Sequence, residues 1–243
     1  GLTGNALVLL EGATLTVNAT DDAINSNGEV HLNLGTATLS SGDDGIHADA
    51  ALVIDGGTTT VARSIEGLES VAITINDGTV SVASSDDGIN ATSGTVSGGS
   101  EQDDGSLLTI NGGTIVVTAE ADGIDSNGSA TINGGTLSVM SASGMGTSAL
   151  DINGALTITG GWISATVSGS AGDTVTVTDG SGNVILTYTA TASFGSVALT
   201  NAAFTDGASY TVTTSSGGSA TVTEGTQSAE AMGGGMGGGP GRP

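Results

Sequence analysis

The 243 residues contain no cysteine, so neither disulfides nor thiol chemistry are available, and two Lys+Arg face 25 Asp+Glu for a formal net charge of −23. That balance excludes nucleic acid and anionic membrane surfaces as direct electrostatic partners and calls for a cation. Aromatic residues make up 2% and glycines number 43, which is poor material for a globular core, while a regular apolar pattern argues against the disorder that such a charge otherwise favours.

In chain order, residues 1–20 carry LVLLEGATLTV, a first coil or a cap whose alternation after Gly12 runs one residue out of phase with the later coils. From Asp21 a unit recurs, made of an acidic turn (DDAIN, DDGIH, DDGIN, ADGID) and a strand-turn-strand (LVIDGGTTTV, ITINDGTVSV, LTINGGTIVV, ATINGGTLSV, LTITGGWISA). The inner-turn glycines Gly12, Gly35, Gly57, Gly78, Gly113, Gly135 and Gly161 are separated by 23, 22, 21, 35, 22 and 26 residues. A period near 22 with strand chemistry and no helical spacing predicts an all-β parallel β-helix, a solenoid in which each coil buries its apolar side against its neighbours.

Alternation points Ile54 and Val61, Ile75, Val80 and Val82, Ile110, Ile115 and Val117, and Ile132, Leu137 and Val139 inward, with Thr59 as a polar departure. A further inward column is expected at Ile24, Ile46, Ile65, Ile89, Ile124 and Leu150. Seven coils at the strand spacing make a rod of about 30 Å. The step of 35 places an insertion within TSGTVSGGSEQDDGS, where a binding face with Asp103 and Asp104 is expected. Past Ala165 the repeat stops: two hairpins, one turning at Asp179 to Asn183 and one across a Gly-Gly turn, read as a β module that covers the open solenoid end. The expected division is residues 1–165 for the β-helix, 166–228 for the capping module and 229–243 for a flexible Gly-rich tail.

Stacking turns repetition into columns. Asp21 and Asp22, Asp43 and Asp44, Asp86 and Asp87, and Asp122 fall at one corner; a second column one residue past the isoleucine holds Asn25, His47, Glu66, Asn90, Asp125 and Asp151. Carboxylates this close raise one another's pKa unless a cation intervenes, and calcium, which takes six to eight oxygens, suits paired aspartates on a glycine turn; a solvated ridge with monovalent counterions is the alternative. The spacing is not that of the Gly-rich calcium nonapeptide, and His31 and His47 are too few and too far apart for a zinc site. In the coil reading RSIEG, Arg63 is expected in the slot of Asp43, either as an internal cation between acidic neighbours or as a catalytic or uronate-binding group. Trp162 is expected to point outward, to stack on a sugar or to cover the joint with the end module. No local Ser-His-Asp signature is present, and carboxylates are too abundant to single out a glycosidase pair.

The ordered set DDGI(H/N), LTINGGT, the insertion before LLTINGGTIVV, ADGIDSNGSATINGGTLSV and TVTDGSGNVILTYTATASFGSVALT, over about Leu7 to Thr223, resembles the bacterial secreted right-handed β-helix carbohydrate-binding proteins of the cellulose- and polygalacturonate-binding type. The resemblance implies a pectate-lyase-like helix, bound calcium at Asp43, Asp44, Asp86, Asp87, Asp122 and Asp125, and an acidic or cellulosic plant cell-wall polysaccharide as partner, without established catalysis. Ala23 in DDAIN and the RSIEG coil depart from the pattern. Three functions are expected on this basis: a calcium-dependent carbohydrate-binding module, a calcium-stabilised extracellular fibre in which the chain is a homopolymer subunit, and a lyase using Arg63 as base. Low positive charge, no cysteine, much Thr, Ser and Asn, and no apolar run long enough to span a bilayer lead us to expect a processed protein, secreted or at the cell surface.

Overall fold

The computed structural model describes residues 1–95 and 102–226. The predicted tail and residues 96–101 of the insertion lie outside the described residues. Each of the first six coils of the solenoid carries three strand segments, and the seventh carries the first two. The first segments are β1 (Leu2–Gly4), β4 (Ile24–Ser26), β7 (Ile46–Ile54), β9 (Leu68–Ile75), β11 (Ile89–Ala91), β14 (Ile124–Ser126) and β17 (Leu150–Ile152). The second are β2 (Leu7–Glu11), β5 (Glu29–Asn33), the C-terminal halves of β7 and β9, β12 (Leu107–Ile110), β15 (Ser129–Ile132) and β18 (Leu156–Ile158). The third are β3 (Thr14–Asn18), β6 (Thr36–Ser40), β8 (Thr58–Arg63), β10 (Thr79–Ser84), β13 (Thr114–Ala119) and β16 (Thr136–Ser141).

First and second segments form one 12-stranded sheet and third segments the parallel part of an 8-stranded sheet. This is a parallel β-solenoid of about 7 turns with roughly 22 residues each. The core runs as vertical columns: Leu10, Leu32, Ile54, Ile75, Ile110 and Ile132 in one, Leu39, Val61, Val82, Val117 and Val139 in another, all buried. Thr59 is buried between Ala37 and Val80, a polar intruder where the sequence placed it.

Two register expectations need correction. The residue beside Ile46 in the ladder is Leu68, not Ile65, which is 41% exposed. The glycine before the apolar residue fixes the frame, so EGLE aligns with DGIH and Ile65 is left on the turn. In the first coil, Thr14 pairs with Thr36 and Leu15 with Ala37, so the strand is in phase with the rest. The inner-turn residue there is Ala13 rather than Gly12, and Gly35, in the left-handed region at φ 98°, sits against the Ala13 backbone.

At the C-terminal end, β19 (Trp162–Gly169) and β22 (Phe194–Thr200) run antiparallel and extend the third-segment sheet beyond β16. A separate antiparallel sheet orders β21 (Val184–Thr189), β20 (Thr174–Asp179), β23 (Ser209–Thr214) and β24 (Ser219–Thr223), which are the two predicted hairpins. Its Val175, Val177, Tyr210 and Val212 bury a second core against Met140, Phe194, Val197 and Leu199, so the module packs on the outer side of the third-segment sheet at β16 as well as beyond its last coil.

Candidate functional site

The corner between third and first segments gathers the acidic groups. Counting back from the register-paired Ile24, Ile46, Leu68, Ile89 and Ile124, the position two before each is Asp22, Asp44, Glu66, Asp87 and Asp122, and three before is Asp21, Asp43, Ile65, Asp86 and Ala121. One position after, the ladder pairs Asn25, His47, Glu69, Asn90, Asp125 and Asp151 in sequence. Glu66 therefore belongs to the first column, and Glu69, which the sequence reading missed, holds the place expected for it. Asp125 and Asp151 stand where expected.

The coils are tied by the carboxylates. Asp22 Oδ1 accepts the Asp44 N–H at 3.1 Å, Asp87 Oδ1 the Asp122 N–H at 2.8 Å, and Asp122 Oδ1 the Ser148 N–H at 2.6 Å. Within the second coil Asn25 also donates to Asp22. These bonds spend one oxygen each of Asp87 and Asp122 on the fold, whereas both oxygens of Asp22 accept a hydrogen bond.

The middle of the column holds its own cation. His47 Nδ1 lies 3.2 Å from Asp44 Oδ2 and 3.4 Å from Glu69 Oε2, and Nε2 lies 3.0 Å from Asp49 Oδ1. Hydrogen bonds to Asp44 and Glu69 push the imidazole pKa up to about 11. Burial works to raise Glu69, yet His47 and Asp44 bind its charged form and hold it at about 2. Asp44, desolvated, is raised to about 7, and Glu66, desolvated and facing Glu69 and Asp44, to about 10, with Asn90 Nδ2 donating to Glu66 Oε2 at 2.8 Å. Further along, burial raises Asp87 to about 6 and Asp122 to about 7, Asp122 also feeling the Asp87 charge. Burial and the neighbouring Asp22 and Asp21 raise Asp43, and burial raises Asp86. The corner thus carries more negative charge than the fold neutralises, the effect expected of stacked like charges.

Two sets of side chains converge within 4.8 Å: Asp21, Asp22 and Asp43, and Asp44, His47 and Glu69. The first offers carboxylate oxygens alone, the donor set of a hard divalent ion such as calcium; the second is mixed nitrogen and oxygen and already satisfied by a proton on His47.

The other sequence candidates do not join this corner. Arg63 ends β8 in register with Ser40, exposed, three positions before Glu66; Ile65 occupies the slot of Asp43. Among the described residues Arg63 forms no ion pair, so it is not the expected internal bridge. Trp162 is half-buried against the solenoid core rather than outward, lining a small cavity with Ile132, Leu137, Leu150 and Ile158, and its backbone N–H donates to Glu224. It covers the joint. Asp104 accepts the Ser93 N–H at 2.7 Å and the Ser106 N–H at 2.9 Å, closing the neck of the insertion, and Asp103 caps Gly105 at the same turn.

Fold and site together define a parallel β-solenoid protein with an acidic corner stacked along one edge. A family model described as carbohydrate-binding domain-containing protein matches residues 1–104 and 45–236, and the chain belongs to this family. No curated protein and no solved structure matches the chain.

Proposed function

We propose that the chain is an extracellular calcium-dependent carbohydrate-binding module for acidic or cellulosic polysaccharide, polygalacturonate being the test ligand, and not an enzyme. The observation that carries this is the all-oxygen set Asp21, Asp22 and Asp43 at the head of an acidic column. Calcium there would be held by the three carboxylates, with Asp86, Asp87, Asp122, Asp125 and Asp151 offering a second run of oxygens beyond the His47 step. When bound, the ion supplies positive charge that a uronate carboxylate can share, which removes the repulsion between an anionic polymer and a chain of charge −23. The protein's own part is to hold the carboxylates in register on rigid coils, so that little ordering is required on binding.

Retention on immobilised polygalacturonate in millimolar calcium, and its loss in chelator or in Asp22→Asn/Asp43→Asn, is the expected result. Equal retention with and without calcium refutes the ion's role. The fibre reading has less support, because β22, β19 and the end module cover one end of the stack that coil-on-coil polymerisation would need. The lyase reading has less still: an arginine base requires burial to shed its proton, and Arg63 is exposed.

A further inference from the structure

The third-segment sheet carries a second array, unlike the acidic corner. Its strands begin with Thr14, Thr36, Thr58, Thr79, Thr114 and Thr136, which stand side by side in parallel register and are all exposed. Two residues on, Thr16, Thr38, Thr60 and Ser81 form a parallel row on the same face. None of these hydroxyls makes a hydrogen bond within the protein among the described residues. The six strands contain no Asp or Glu at all, although the chain has 25; their single charged residue is Arg63, at the margin next to the acidic corner. Charge has been kept off this face, and the only Lys or Arg of the described residues placed beside it.

We infer that this threonine face is where the polysaccharide lies, as one extended strand running along the solenoid axis, with its sugar rings stepping from coil to coil. The inference rests on the polysaccharide-binding reading and gives it a surface. Neighbouring strands are about 4.8 Å apart and alternate residues of a strand about 6.7 Å apart, so the face is a regular lattice of hydroxyls and methyls. The first spacing is close to the advance of one ring in an extended β-1,4- or α-1,4-linked glycan. Each threonine hydroxyl both donates and accepts, as sugar hydroxyls do, and the β-branched side chain is fixed at χ1 before the ligand arrives, which lowers the entropic cost of binding. Such a face needs no aromatic residues, because recognition passes through repeated hydroxyl contacts rather than ring stacking. Arg63 gives an anionic strand one favourable charge where the corner alone would repel it.

The test compares wild type, Thr36→Val/Thr58→Val/Thr79→Val, and a control triple, Thr74→Val/Thr109→Val/Thr131→Val, which alters a half-exposed threonine column in register on the other sheet. Affinity electrophoresis in gels containing polygalacturonate or soluble β-glucan, with calcium present, reads the binding, and thermal melting confirms that each variant is folded. A loss of about tenfold or more for the first triple, with the control at wild-type affinity, is expected from three forfeited hydroxyl contacts. Equal binding of all three proteins, or equal loss in both triples, overturns the assignment of this face while leaving polysaccharide binding intact. Wild type that binds no polysaccharide refutes the parent reading, and the inference falls with it. Ice shaping by wild type that the first triple abolishes, without polysaccharide retention, would show that the array orders water instead.

Discussion

At the residue scale the deciding group is His47. Three carboxylates, from Asp44, Asp49 and Glu69, lie within 3.4 Å of its ring nitrogens, so the imidazolium neutralises a step of the column whose other members, from Asn25 to Asp151, are Asn, Glu or Asp. The sign of its linkage is that of a raised base: the stabilisation is complete below its unfolded value near 6.5 and is lost as pH rises toward about 11. His47→Gln is therefore expected to lower stability at pH 7 by about 1–3 kcal/mol, less than a fully buried pair because the side chain is partly exposed. The coupling is checkable by a double-mutant cycle: Glu69→Gln should cost less in the His47→Gln background than in wild type, since there it removes a repulsion instead of a partner. Additive effects would show that the imidazole and Glu69 do not interact. NMR titration should also find His47 still protonated at pH 8.

At the element scale, the glycine of the acidic turn has a packing role that its sequence context hides. A Cβ on Gly45, Gly67, Gly88 or Gly123 would come within 2.1–2.5 Å of Val61, Val82, Val117 or Val139 Cγ1 respectively, and none of the four has positive φ. The residue is small because the valine column and a backbone carbonyl of the next coil fill the space around it, and Ala23 is admitted in the coil whose matching core residue is Leu39. Gly88→Ala, which would also press on the Gly123 carbonyl at 2.5 Å, is expected to destabilise by about 1–3 kcal/mol through overpacking. Combining it with Val117→Ala should recover part of the loss in chemical denaturation, whereas a strained turn would give no recovery. This glycine also marks what could be read from the chain beforehand. The coil period, the inward columns and both terminal hairpins are legible because burial on a strand imposes period two and each turn imposes its residue type. Glu69 was missed because Ile65 imitates the core isoleucine two residues after Arg63; the glycine frame, EGLE against DGIH, carries the correct signal. The antiparallel β22 was unreadable because FGSVALT has no repeat to be aligned with, and only tertiary pairing with β16 defines it. The threonine face was visible as letters but not as a surface, since register across six strands is what makes it one.

At the scale of the whole molecule, the acidic column makes stability a function of pH and of cations together. Asp44, Asp87 and Asp122 titrate at about 7, 6 and 7 in the folded chain because burial penalises their charge, above the ordinary aspartate value of 3.8. The folded state then binds more protons than the unfolded one between those limits, and the linkage relation makes the contribution of these three groups to metal-free stability fall as pH rises from about 4 toward 7. Glu69, held at about 2 against an ordinary 4.5, works the other way: its contribution is complete above about pH 5 and is lost as pH falls toward 2, so the maximum lies near pH 5. Melting in chelator should thus show a higher Tm at pH 5 than at pH 7, the reverse of a protein stabilised by exposed salt bridges. If the oxygen set and the carboxylates beyond it take calcium, the ion replaces the protons: Tm at pH 7 should climb with calcium concentration, following binding to the folded state alone, and the difference between pH 5 and pH 7 should shrink or invert. Magnesium at equal concentration should do less, because it demands near-octahedral geometry and gives up water reluctantly. A melting temperature independent of pH in chelator would mean that the stacked carboxylates are solvated well enough to ionise freely, and the electrostatic case for a divalent partner would go with it.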